Sequence, residues 1–68
     1  MTLGESLPLE CARVRELVVL YNDPMLNGSG RFAADLMERS LKAADEAMIS
    51  GDVVAMIQAQ KDLEGYSA

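Results

Sequence analysis

The chain has 68 residues, one cysteine, no histidine and a formal net charge of -5, and half of its residues are hydrophobic. One cysteine rules out an internal disulfide, and a single thiol without histidine leaves the usual zinc ligand sets unfilled. An acidic balance without a Lys/Arg cluster argues against direct binding of nucleic acid through its phosphates and against an anionic membrane surface.

A chain this short buries only about 60% of its unfolded surface. Without disulfide or metal, oligomerisation or a partner is the remaining supplement. No apolar run approaches the roughly 18 residues of a membrane span. Met1-Thr2-Leu3-Gly4-Glu5 has no basic start of the kind that opens a signal peptide. The expected location is the reducing cytoplasm.

In chain order, residues 1–6 form a short lead. Pro8 suits the first turn of a helix, with Ser6 or Leu7 as its cap, and that helix should run over about 7–21. Leu7, Cys11, Val14, Val18 and Tyr21 repeat at helical spacing and make one inward seam, with Leu17 beside it. Arg13, Arg15 and Glu16 take the outside. Leu17-Val18-Val19-Leu20-Tyr21 has the β-branched look of a strand, but no second strand exists to pair with it. As helix, the stretch leaves Val19 and Leu20 pointing away from the seam.

Residues 22–29 are the loop. Asn22-Asp23-Pro24 ends the first helix, since the residue before proline is pushed out of the helical region. Asn27-Gly28 signals a turn, and Ser29 is a natural cap for the next helix. Met25 and Leu26 are apolar in this polar stretch and read either as a plug over one end of the bundle or as a contact tip.

The central helix, about 30–50, organises the rest. On a helical wheel its apolar side runs from Phe32 through Ala43, Leu36, Ala47, Ser40, Ala33, Ala44, Met37, Met48 and Leu41 to Ala34. That arc is roughly 200° wide, about twice what an ordinary surface helix needs, so the helix should have neighbours on two sides. Its polar side places Asp35 before Arg39 and Glu38 before Lys42 at the favourable four-residue spacing. Ala33, Ser40, Ala47 and Ala44 form a small-residue row that lets another helix approach closely.

Gly51 should close this helix in the left-handed conformation, with Asp52 capping a third helix over about 52–64. Val53, Met56, Ile57 and Leu63, with Ala59, are its expected inward set. The short connection makes the last two helices an antiparallel αα-hairpin. Gly65-Tyr66-Ser67-Ala68 reads as a frayed end from which Tyr66 could fold back. The fold expected is all-α, a three-helix bundle with a long central helix and a C-terminal αα-hairpin, in one domain over 1–68.

Chemistry is sparse. With no histidine the commonest general base is missing, and the carboxylates of the central helix alternate with Arg39 and Lys42 in the manner of a solvated face. Cys11 lies on the inward seam, where a buried thiol is inert. Asn27-Gly28-Ser29-Gly30 precedes a helix but lacks the lysine and the length of a phosphate loop. Met37, Met48 and Met56 are core filler. No catalytic, cofactor-binding or metal-binding residue is nominated, and the expectation is a non-enzyme without cofactor.

Ala44-Asp45-Glu46-Ala47 followed by Gly51-Asp52-Val53-Val54-Ala55-Met56-Ile57-Gln58-Ala59 resembles a single αα-hairpin of tetratricopeptide type, with an alanine-lined first helix and Gly-Asp at the turn. One copy does not imply a solenoid, whose stacked repeats bury such faces. The whole chain resembles the short, acidic helical proteins encoded by proteobacterial phages and prophages. That resemblance implies an accessory protein acting by binding a host or phage protein.

The expected function is therefore a protein–protein interaction module, homodimeric, that modulates another protein, without direct nucleic-acid or membrane contact. Phe32, Leu36 and Ala43 at the margin of the arc, Val19 and Leu20, and Met25 and Leu26 are the candidate contacts. They are expected to merge into one apolar patch. The alternative is an acidic nucleic-acid mimic presenting Asp35, Glu38, Asp45 and Glu46 to a DNA- or RNA-binding protein.

Overall fold

The computed structural model describes residues 2–26, 28 and 30–67, with the side chain of Leu26 outside the description. Three helices form an elongated bundle of 38 × 19 × 16 Å. They are α1 (Leu3–Tyr21), α2 (Arg31–Ser50) and α3 (Val53–Glu64), with a short 3-10 turn at Pro24–Leu26 between the first two. The fold is all-α, and among the described residues there is no strand. Each helix packs against the other two.

The first helix starts four residues before the expected Leu7. Thr2 is extended and its carbonyl accepts the N–H groups of Glu5 and Ser6 at 3.0 and 2.8 Å. The Thr2 hydroxyl donates to the Glu5 carboxylate at 3.1 Å. Pro8 then lies in the second turn rather than the first. Its ring nitrogen has no proton for the Gly4 carbonyl, so one helical bond is forgone. In return Leu3 packs against the core, and Ser6 reaches Gln60 of α3 at 3.3 Å.

At the other end of α1, Asn22 N–H donates to the Val18 carbonyl at 3.0 Å. Asp23 then accepts the Met25 N–H at 2.9 Å, a side-chain turn that suits a chain turning at proline. Gly28 has φ 82°, left-handed as a turn before α2 requires. The expected Ser29 cap lies outside the described residues; the described cap position is Gly30, with no side-chain bond.

Gly51 closes α2 at φ 73°, its N–H on the Ala47 carbonyl at 3.0 Å. Asp52 caps α3 by accepting the Ala55 N–H at 3.1 Å. The α2–α3 hairpin is thus held by two locally encoded stops, one residue apart.

The core joins Leu7, Cys11 and Val14 of α1 to Met37, Leu41 and Ala44 of α2 and to Ala59 and Leu63 of α3. It is aliphatic throughout. Ala34 and Ala47 are also buried, and Ser40 and Ala33 are half-buried, so the small-residue row is largely covered within the chain. The inward row of α3 differs from the expected one. Met56 is half-buried beside the buried Ala59 and Leu63, while Val53 and Ile57 are 59% and 43% exposed. The Ser6–Gln60 bond fixes the rotation of α3. Val53 and Ile57 fall on the Gln60 side of the helix, at the rim of the α1–α3 seam rather than beneath it.

The described end of the chain, residues 65–67, is tied down rather than frayed. Tyr66 is half-buried, and its hydroxyl lies 2.9 Å from the Ser40 hydroxyl and donates to the Leu36 carbonyl at 3.2 Å. Tyr21 donates to the Ser67 carbonyl at 2.8 Å. Arg13, expected on the outside, is half-buried and donates to the Leu63 and Tyr66 carbonyls at 2.7 and 2.8 Å. A guanidinium over the last carbonyls of a helix also opposes its dipole favourably.

Candidate interaction surface

At 3.6 residues per turn, the buried residues of α2 occupy one side, and the row Phe32, Arg39, Glu46, spaced seven apart, runs along the opposite side. Phe32 is 76% exposed; Leu36 and Ala43, which border that row, are exposed as well. Their edge of α2 is the one nearer the end of α3, because Tyr66 bonds the Leu36 carbonyl and Ser40 there. An exposed phenyl ring is the largest apolar group on this surface, and among the described residues nothing covers it.

The candidate residues whose side chains are described do not form one patch. Arg15 reaches Asp45 at 3.4 Å, which fixes the opposite edge of α2 against α1. Val19, one turn beyond Arg15, is exposed on that side of α1. Leu20 lies seven residues beyond Arg13, and Arg13 points at α3, so Leu20 takes the α3 side. Val19 therefore lies by the Asp45 edge of α2, away from the outer row that carries Phe32. Met25 is 89% exposed, a tip rather than a plug; the side chain of Leu26 lies outside the described residues.

Charge on α2 is arranged differently from the expectation. Neither Asp35–Arg39 nor Glu38–Lys42 is within ion-pair distance; among the described residues the ion pairs are Glu10–Arg13 and Arg15–Asp45. Arg31, Asp35, Glu38, Arg39, Lys42 and Glu46 are all exposed. Three carboxylates interleaved with three cations give a mixed field rather than a uniformly negative one.

A further apolar group not expected from the sequence lies at the far end of the bundle, where Leu9, Ile49 and Val54 are exposed with Val53 and Ile57. The signal was Ile49 standing alone among the charged residues of the central helix.

Elsewhere the surface offers little chemistry. An open hollow of about 230 Å³ lies between Tyr21, Asn22, Asp23, Pro24, Gly28 and Arg31, and Asp23 already holds the Met25 N–H. Cys11 is buried, and burial pushes its thiol pKa above the ordinary 9.0, with nearby Arg15 opposing and Asp45 and Glu10 adding to the rise. Among the described residues no group of three or more His, Cys, Asp or Glu side chains converges as metal ligands. Among the described residues no helix is long and apolar enough to cross a membrane. No protein-family model matches the chain, and neither a curated protein nor a solved structure matches it.

Proposed function

We propose that this chain is a non-enzymatic interaction module that works as a homodimer in the cytoplasm and binds and modulates another protein, of the host or of a phage. The observation that supports it is Phe32, in the first turn of α2 and 76% exposed, with Leu36 and Ala43 exposed beside it. A protein of this size gains stability by covering such a row. The absence of histidine and the burial of the single thiol support a role without covalent chemistry.

The test is thermal unfolding over a wide range of protein concentration. A homodimer melts at a temperature that rises with concentration, and Phe32→Ala should remove that dependence while retaining helical content. A melting temperature independent of concentration overturns the self-association part of the reading. For the target, weak dependence of binding on salt with loss on apolar substitution supports the module. Steep salt dependence supports the acidic mimic instead.

A further inference from the structure

We propose that α2 pairs with α2 of a second copy in antiparallel fashion, about a two-fold axis passing beside Glu38 and Arg39. The proposal rests on the self-association above and supplies its geometry. It starts from a surplus. The three cations Arg31, Arg39 and Lys42 and the carboxylates Asp35, Glu38 and Glu46 are exposed on one face of α2, and none forms an ion pair among the described residues. That charged face borders the row Phe32, Arg39, Glu46, which lies opposite the core with Leu36 and Ala43 on its other side, so a second helix can lie along the row without displacing α1 or α3.

One register satisfies every cation on the face. With the axis between Glu38 and Arg39, Arg39 meets Glu38 of the second copy, Lys42 meets Asp35, and Arg31 meets Glu46; the two-fold axis makes each pair twice. In the same register Phe32 lies within two residues, about 3 Å along the axis, of Ala43 of the second copy, a small side chain within reach of its ring. Leu36 comes against the aliphatic stem of Arg39. Sliding one helix by four residues one way sets Arg31 against Lys42 and Asp35 against Glu38. Sliding it four residues the other way sets Arg39 against Lys42 and Asp35 against Glu46. A parallel pairing sets every charge against its own kind. Interleaved charge therefore specifies orientation and register, and Phe32 and Leu36 supply the apolar contact.

The experiment is a charge exchange read by sedimentation equilibrium of the full chain at low and high salt. Asp35 and Lys42 are seven residues apart on one helix, about 10 Å along the axis, and make no pair within a chain; they meet only across the proposed interface. Lys42→Glu and Asp35→Lys should each weaken association about tenfold at low salt, and less at high salt. The double variant D35K/K42E should restore it. Circular dichroism checks that each variant stays helical, and exchanging Glu38 and Arg39 (E38R/R39E against each single change) gives the same test if one variant does not. Association of the native chain that ignores both single changes, or single losses that the double variant fails to restore, overturns this register while leaving self-association standing. A native chain that is monomeric throughout overturns both.

Discussion

Arg13 of α1 holds the end of α3: its guanidinium donates to the Leu63 carbonyl at 2.7 Å and to the Tyr66 carbonyl at 2.8 Å, across about fifty residues of sequence. Glu10 steadies it from one turn earlier at 2.9 Å. With Tyr66 hydrogen-bonded to Ser40 and Leu36, and Tyr21 to Ser67, these contacts tie the last residues to both other helices. They compensate for the shortness of α3, which has 12 residues against 19 and 20 in its neighbours.

Arg13→Ala should therefore lower stability by about 1–2 kcal/mol, the range for a half-exposed charged donor with carbonyl acceptors. Tyr66→Phe, which keeps the ring and removes the hydroxyl, should lower it by about 1 kcal/mol. Urea unfolding followed by far-ultraviolet circular dichroism measures both. Unchanged midpoints for the pair would mean that the tail adds nothing to the fold.

Cys11 should be chemically quiet. Its burial raises the thiol pKa above 9.0, so in the folded chain the thiol stays protonated where the unfolded chain has begun to ionise. Stability from this group is then complete below about pH 9 and declines as pH rises from there through the higher folded value. Reaction with a thiol reagent at pH 8 should be many-fold slower for native protein than for protein in denaturant. Equal rates contradict the burial.

The helices were legible where local chemistry fixes them. Gly51 and Asp52 are a stop and a cap whatever the partner helix does, and the wide apolar arc of α2 called for two neighbours, which it has. The start of α1 lies before the turn that Pro8 suggests, because proline is tolerated in the second turn here and Thr2 and Glu5 carry the spacing of a capping box. The rotation of α3 was not legible. Val53–Ile57 and Ala59–Leu63 are both apolar pairs four residues apart, and the choice between them depends on where α1 lies.

The separation of Val19 from Phe32 has the same origin. Periodicity says which residues share a row on one helix, but the side on which each helix is flanked is a property of the assembled bundle. The Arg13 clamp and the unpaired charges of α2 depend on side-chain positions that no spacing rule supplies.

Gly51→Ala should destabilise the bundle by about 1 kcal/mol, because an L side chain at φ 73° is strained even with nothing within 4 Å of the added carbon. Gly65→Ala is the matched comparison. Gly65 is right-handed at φ -73°, and its added carbon would touch the Asp62 carbonyl at an ordinary 3.4 Å. A smaller loss at Gly65 than at Gly51, by thermal unfolding at fixed concentration, is the expected result; the reverse order contradicts the left-handed closure of α2.

The central claim is that the outer row of α2 is covered by a second copy of the chain. Sedimentation equilibrium of the intact protein across the micromolar range, beside Phe32→Ala, tests it most directly. The account predicts a mass moving from one chain to two as concentration rises, with the transition displaced about tenfold or more in the variant, as befits an anchoring aromatic. A native mass of one chain at every concentration, or a dimer that forms equally well without the phenyl ring of Phe32, would contradict it.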